Sequence, residues 1–349
     1  MKQLKGSHLV IRVDAGGEIG AGHLMRCLAL AQAWQDAGGQ AIFIIGFQNE
    51  GLQQRLQKEG FDIHQLTNPY PHDSDWGYTK SLLDDYPDAW LILDGYHFDE
   101  IYQKRIKDAG HKLLVIDDMA HLKHYYTDIL LNQNLHAESS LYSCEPDTRL
   151  LLGSRYVLLN RDFLIWKDWR REFPEVGQRL LVTLGGSDSN NNTLKVIEAL
   201  QEIQITGLEV KVVVGASNPH LDTLEKAIGH SRISIPLILD ARNMPELMTW
   251  ADVAISAGGY TAWELAFTGM PVIMMVSAEN QRRIAESLDI AGAAINLGWD
   301  TNITAGDIAG TLLSLLKSKQ KRQEMSLKGR QIVDGQGGRR VVSALENSC

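Results

Sequence analysis

Cysteine is scarce in this chain, with only Cys27, Cys144 and Cys349 among 349 residues. Scattered so widely, the three make neither a disulfide framework nor a zinc-ligand spacing, and such usage suits a reducing cytoplasm. Long apolar runs are missing too. No stretch reaches the roughly 20 apolar residues of a membrane span. The one apolar run near the N-terminus is short and carries Arg12, so no signal peptide is expected either. Positive charge is in deficit, 34 Lys and Arg against 43 Asp and Glu for a net charge of −9, which argues against nucleic acid or anionic lipid as a partner. No short-period repeat or low-complexity tract stands out. The expected protein is cytoplasmic and soluble, and any phosphate site in it must be built from local backbone amides and a few side chains.

What is present describes an ordinary globular protein, 44% apolar and 22% charged, of a length that suggests two domains. The first half alternates short apolar strands (near residues 8–13, 40–45, 61–65, 89–93, 111–116 and 127–131) with amphipathic helical patterns. A second series starts at Arg179 and continues through VKVVVG, RISIPLI, DVAIS and PVIMMV. Alternation of this kind predicts α/β architecture, a parallel sheet covered on both faces, twice over. Between the two series lies an aromatic, charged segment ending near a proline. The expected domains are therefore residues 1–160 and 178–349, with 161–177 as linker. A last helical pattern over residues 339–345 is either a solvated terminal helix or one that crosses back to the first half.

Residues 11–31, IRVDAGGEIGAGHLMRCLALA, concentrate the features of a site. A buried strand runs into a loop containing Gly16, Gly17, Gly20 and Gly22, whose backbone is able to approach a ligand closely. A helical pattern follows. His23 falls in its first turn, where the positive end of the helix dipole disfavours imidazolium and favours a neutral ring able to act as a base; helix capping is the structural alternative. The loop is not a dinucleotide fingerprint. Met25 stands where the third small residue belongs, and the second strand closes Ile44-Ile45-Gly46 without the acidic residue that would hold a ribose, so NAD is rejected.

Ser256-Ala257-Gly258-Gly259-Tyr260-Thr261-Ala262-Trp263-Glu264 reads as strand end, small residues and helix start, a pattern that exposes amides to a phosphate. Glu264, about one and a half turns into that helix, is placed to meet ribose hydroxyls; the plain alternative is a tight turn and a surface glutamate. Gly185-Gly186-Ser187-Asp188 closes the first strand of the second half and either adds phosphate-binding amides or caps a helix. Ser277-Ala278-Glu279-Asn280-Gln281 follows another strand, with amide side chains able to donate to a sugar or phosphate. Asp117, Asp118, His121 and His124 are metal-ligand types, but their spacing is ordinary turn chemistry and no metal is assigned. Asp94-Gly95-Tyr96, at another strand end, suits the lining of a substrate cleft.

The Ser256–Glu264 segment with Gly269-Met270-Pro271 resembles the UDP-binding segment of two-domain sugar-nucleotide enzymes of the GT-B fold, relatives of MurG. A more specific set resembles the PseG family, the UDP-sugar hydrolases of pseudaminic acid biosynthesis: Arg12-Val13-Asp14, Ile19-Gly20-Ala21-Gly22-His23, Arg26 to Ala31, Asp94-Gly95-Tyr96, Ile116-Asp117-Asp118, Leu131-Asn132-Gln133-Asn134, Gly185 to Asp188, Glu279-Asn280-Gln281 and Asp334-Gly335. The resemblance implies two Rossmann-like, doubly wound domains facing a central cleft. It implies hydrolysis of UDP-2,4-diacetamido-2,4,6-trideoxy-β-L-altropyranose to the free sugar and UDP, with no metal or other cofactor, and no fused acetyltransferase domain is expected. His23 matches the family's proposed general base for inverting attack of water at the anomeric carbon. The implied substrate-binding set is Arg12, Asp14, Gly20, Gly22, Tyr96, Gly186, Ser187, Asp188, Ser256, Gly258, Gly259, Thr261, Glu264, Glu279, Asn280 and Gln281. Amides near Ser256, Gly258 and Gly259 would hold the diphosphate, and Glu264 the ribose. Two other readings stay open: a GT-B glycosyltransferase of the spore-coat polysaccharide type, and a nucleotide-sugar-binding protein without turnover.

Overall fold

Strands that are apolar on both sides need cover on both faces, and the chain supplies it in two separate bodies. The structure, a computed structural model, describes residues 4–15 and 21–347, so Gly16, Gly17 and Gly20 of the first loop lie outside the described residues. The chain divides into two compact units, Met1–Arg161 with Gly335–Cys349, and Asp162–Asp334. Among the described residues the first unit carries seven strands: β1 (His8–Val13), β2 (Gln40–Ile45), β3 (Asp62–Gln65), β4 (Trp90–Asp94), β5 (Lys112–Ile116), β6 (Ile129–Asn132) and β7 (Arg149–Leu152). The second carries six: β8 (Arg179–Thr183), β9 (Glu209–Val214), β10 (Leu237–Leu239), β11 (Val253–Ala257), β12 (Val272–Val276) and β13 (Ala294–Trp299).

Every pairing described is parallel. The orders are β3-β2-β1-β4-β5-β6-β7 and β10-β9-β8-β11-β12-β13. Both therefore run outward in opposite directions from their first strand, the doubly wound arrangement in which a crevice opens at the C-terminal ends of the two central strands. In the first unit those strands are β1 and β4, in register with Val13 opposite Asp94. In the second they are β8 and β11, with Thr183 opposite Ser256. This topology thus leaves room for a ligand at the ends of β1 and β4 in the first unit and of β8 and β11 in the second.

Several elements depart from the sequence expectation, each for a physical reason. The run RISIPLI forms only the short β10, because Pro236 has no N–H to give a ladder; its carbonyl accepts from Val212 instead, and the strand sits at the sheet edge. β7 and β13 were not expected, being short or half-exposed edge strands with weak apolar signals. The expected linker is not bare: from Asp162 the chain lies with the second unit, where half-buried Arg171 donates to the carbonyls of Met248 (2.8 Å), Gly269 (3.1 Å) and Ala251.

For the tail two placements were open, a solvated helix or a return to the first half. Residues 335–349 belong to the first unit rather than to a domain running from 178 to the end. The helix Gly337–Glu346 places Val341, Val342 and Leu345, all fully buried, in the same core as Leu24 and Leu28 of the helix Gly22–Asp36. Close approach requires glycine here, since a Cβ at Gly337 would lie 2.0 Å from the Val157 carbonyl oxygen. Burying three aliphatic side chains stabilises this return by about 5–8 kcal/mol before ordering costs. No helix among the described residues is long and apolar enough to cross a membrane.

Candidate functional site

The first-unit crevice brings His23 and Asp94 together. His23 is the second residue of the helix Gly22–Asp36, which begins beside the C-terminal ends of β1 and β4, and Asp94 is the last residue of β4. Parallel pairing makes those ends neighbours, so two residues 71 apart in sequence meet with His23 Nδ1 2.6 Å from Asp94 Oδ1. A carboxylate only accepts, so the pairing assigns the proton to Nδ1 and leaves Nε2 as the accepting nitrogen. Both side chains are almost fully buried.

Arg26, one turn after His23, organises the rest. Its Nε and Nη2 each donate to Asp94 at 2.6 Å, Nη1 donates to both oxygens of Asp118 at 2.7 and 2.6 Å, and Nη2 lies 3.1 Å from His23 Nδ1. Burial works against the guanidinium charge, but Asp118 and Asp94 outweigh it and raise its pKa well above the ordinary value. Burial likewise opposes the Asp94 charge, and Arg26 reverses the balance, holding the carboxyl far below its usual range. Asp118 is lowered in the same way. Asp118 also accepts from Tyr96 Oη (2.9 Å) and Asn134 Nδ2 (3.0 Å), and the Tyr96 ring meets the His23 ring edge-on at 4.7 Å. Cys27, beside Asp94, is no nucleophile: burial and the Asp94 charge push its thiol pKa up.

Arg12 and Asp14 are placed differently from the other members of the expected set. The Arg12 side chain is fully buried, donating to Asp14 (2.7 and 2.9 Å) and to Asp75 (2.7 and 3.0 Å). Asp75 further accepts from the Tyr70 amide and Tyr102 Oη, and Asp14 from the Gly46 amide at 2.6 Å. This network fixes the end of β1 against its neighbours, a supporting task. Gly22 opens the His23 helix and is half-buried. Asp117 is held by Tyr125, Tyr142 and the Ala120 amide, and among the described residues no group of three His, Cys, Asp or Glu is arranged to hold a metal ion.

In the second unit the crevice lies between the loops after β8 and β11. Ser256 lies inside β11, buried and in register with Thr183 and Met274, so the open backbone is confined to Gly258, Gly259 and Tyr260. Gly258 packs so tightly that a Cβ would come 2.6 Å from the Gln281 carbonyl oxygen, whereas a Cβ at Gly259 would meet nothing within 4 Å. One glycine lets the loop touch the start of the helix Glu279–Ile290; the other leaves a space. Thr261 begins the short helix Thr261–Phe267, and Glu264 is buried in its first turn. Gln281 Oε1 accepts from the amide and hydroxyl of Ser277 (3.0 and 3.1 Å), which joins the β12 loop to the helix Glu279–Ile290. Asn280 is half-buried in the first turn of that helix, and Glu279 pairs with Arg282 at 2.6 Å on the exposed side.

Asp188 takes the capping alternative. Its carboxylate accepts from the amides of Asn192 and Thr193 (2.8 and 2.9 Å) and from Thr193 Oγ1 (2.6 Å), at the start of the helix Asn192–Leu200. Gly186 and Ser187 stay at the crevice, where the Gly186 backbone runs so close to Gly215 that a Cβ on the latter would lie 2.3 Å from the Gly186 carbonyl oxygen.

Residues 179–335 match the glycosyltransferase family 28 C-terminal domain. Both second-unit loops lie within the matched segment. Over its length the chain is 25% identical to the spore coat polysaccharide biosynthesis protein SpsG of Bacillus subtilis, across 97% of this chain and 98% of that protein. It is 28% identical to the UDP-2,4-diacetamido-2,4,6-trideoxy-beta-L-altropyranose hydrolase of Campylobacter jejuni, across 69% of this chain and 81% of the hydrolase. Among solved structures, MurG of Acinetobacter baumannii superposes with a TM-score of 0.66 at 15% identity, covering 98% of this chain and 99% of that one. The fold is that of the GT-B glycosyltransferases, two Rossmann-like units each built on a parallel sheet.

Sequence reasoning missed the partners of His23. Asp94 was seen only as part of a strand-end tripeptide and Arg26 only as part of a matching motif. The signal for both was topological, because strand order makes the ends of the first and fourth strands adjacent.

Proposed function

We propose that this protein is a UDP-sugar hydrolase that acts on UDP-2,4-diacetamido-2,4,6-trideoxy-β-L-altropyranose, releasing UDP and the free sugar with inversion. The observation that carries the reading is the His23–Asp94 pair, which leaves His23 Nε2 as a proton acceptor at the crevice of the first sheet. Water is the nucleophile. As its oxygen bonds to the anomeric carbon, its proton passes to Nε2, and the bond from that carbon to the diphosphate oxygen breaks with the electron pair leaving on UDP. Asp94 then faces an imidazolium and stabilises it. The amides of Gly258 to Tyr260 hold the diphosphate, so the departing charge is met without a strong general acid. Glu264 takes the ribose, while Tyr96, Asn280 and Gln281 orient the sugar and phosphates. Similarity to a hydrolase of this name and the glycosyltransferase family 28 match support the substrate class.

The test is turnover of the diacetamido UDP-sugar in oxygen-18 water by wild type and His23→Ala. Label in the sugar, with turnover lost and UDP binding kept in the variant, is the expected result. Label in UDP would mean attack at phosphorus and defeat the mechanism. A second reading, transfer of the sugar to an acceptor other than water, is supported by the glycosyltransferase family 28 match over residues 179–335. It predicts that turnover in water alone is negligible and rises when an acceptor is supplied.

A further inference from the structure

Tyr96 stands on a tight turn after β4, closed by the Phe98 amide donating to the Gly95 carbonyl at 3.3 Å. Gly95 has a φ of +155°, and a Cβ there would press to 2.7 Å from the His97 ring. What holds the Tyr96 backbone lies outside the turn. His121, after β5, directs Nε2 to the Tyr96 carbonyl oxygen at 3.2 Å and Nδ1 to Asp117 Oδ1 at 3.4 Å. A carbonyl and a carboxylate are both acceptors. A neutral imidazole has one N–H and satisfies one of them; the form with a proton on each nitrogen satisfies both. Asp117 is itself a fixed anchor, held by Tyr125 Oη (3.0 Å), Tyr142 Oη (2.9 Å) and the Ala120 amide (2.8 Å).

We propose that His121 is a positioning residue for the site at His23: doubly protonated, it clamps the Tyr96 carbonyl to the Asp117 carboxylate and so fixes the Tyr96 ring against His23. The consequence for chemistry rests on the reading of His23 as the base, but the clamp itself does not. Protonation of His121 is coupled to the site through a short path, from its ring to the Tyr96 backbone and from the Tyr96 ring and hydroxyl to His23 and Asp118. The titratable groups facing His121 are Asp117 on its own loop and Tyr96 on the β4 turn. Behind Asp117 stand Tyr125, Tyr142 and Cys144, all three raised by burial and the Asp117 charge and so neutral near pH 7. Gln103, on the helix Glu100–Asp108, lines the same small space and carries no charge. Nearby His124 pairs with Glu145 at 3.0 Å, and Arg26 is committed to Asp94 and Asp118. Within the clamp itself, the imidazole of His121 is the side chain whose ordinary titration falls near neutrality. Its bond to Asp117 outweighs the opposing effect of burial and holds its proton above the ordinary histidine value. The clamp is therefore complete below that raised value and lost as pH climbs through it.

Two measurements test this on the full-length protein. In nitrogen-15 imidazole spectra, assigned with His121→Gln, the His121 ring is expected to carry protons on both nitrogens at pH 6.5 and to titrate above that; a ring neutral at pH 6.5 overturns the proposal. In pH profiles of UDP release, the wild type is expected to lose activity on the alkaline side, and His121→Arg, which keeps charge and several donors, to restore turnover while flattening that limb. His121→Gln, whose donors all sit on one nitrogen and cannot reach both acceptors, should lower kcat at pH 6.5 by about three- to tenfold, the worth of one hydrogen bond, with little change in KM. Variants whose profiles coincide with the wild type would overturn the clamp. Absence of turnover in the wild type would instead count against the hydrolase reading, with the spectra still deciding the state of His121.

Discussion

Replacing Asp94 by Asn separates a base held in the right tautomer from a histidine that merely fills space. Asp94 receives four donors: His23 Nδ1 and Arg26 Nη2 on Oδ1, each at 2.6 Å, and Arg26 Nε (2.6 Å) and Cys27 Sγ (3.4 Å) on Oδ2. An amide has a single oxygen for them. If that oxygen faces Arg26 Nε, the new NH₂ confronts His23 Nδ1, which must surrender its proton, so the proton moves to Nε2 and the base is lost. If it faces His23, the NH₂ opposes the Arg26 Nε–H. The charge is lost in either case. Two unit charges about 4 Å apart at an effective dielectric near 20 interact by about 4 kcal/mol, the stabilisation that Asp94 would give an imidazolium at His23. That corresponds to about a thousandfold in rate.

The assay is kcat for UDP release, beside UDP affinity by calorimetry and a denaturant midpoint. Affinity should hold, because the nucleotide is assigned to loops of the second unit. Stability should fall by less than the ~3–5 kcal/mol typical of an orphaned buried charge, because Arg26 keeps both oxygens of Asp118. An Asp94→Asn protein folded as the wild type, with kcat within about threefold of it, would refute the tautomer argument.

Gly258→Ala should cost about 1–3 kcal/mol, seen in the thermal midpoint, because its methyl meets the Gln281 backbone. Gly259→Ala should keep the midpoint and weaken UDP binding, its methyl entering the space left for the ligand. Arg12→Met strands Asp14 and Asp75 in the interior and should destabilise by about 3–5 kcal/mol in urea; a smaller loss would mean that the network tolerates a missing cation. Asp14, Asp94 and Asp118 all ionise at lower pH folded than unfolded, so the stability they bring is full above the unfolded carboxyl value near 4 and is lost as pH falls through the folded values. Denaturant midpoints at pH 7 and pH 3 check this, and equal midpoints would contradict it.

The alternation of buried runs and helical patterns was legible because parallel strands covered on both faces need apolar residues throughout, as β1, β4 and β11 show. Two edge strands escaped for the converse reason. β7 and β13 are only partly covered, so their patterns resemble loops, while the run expected around Pro236 is shortened to Leu237–Leu239. The last helix was legible as a helix, with two placements open, one of them in the first unit. Nothing local tells Val341, Val342 and Leu345 which core they will enter; that depends on the groove beside the helix Gly22–Asp36, made by residues three hundred positions earlier.

His23 was legible because a strand, a glycine loop and a helix start are contiguous in sequence. Its counter-ions were not, because the chemistry of a side chain does not announce its partner at a separation of 71 residues. Strand order closes that distance. Once β1 and β4 are placed side by side, a histidine in the first turn after β1 and an aspartate ending β4 share the same crevice, and an arginine one turn past the histidine faces both that aspartate and the loop after β5. Asp94, Asp118 and Tyr96 come from the ends of neighbouring strands for the same reason. They are held in position by the most buried part of the sheet, where a shift of one residue in register would turn an apolar side chain to the crevice and a carboxylate into the core. The precision of the site is thus a property of the sheet, and substitutions within β1 or β4 that disturb register should damage activity as much as substitutions at His23 itself.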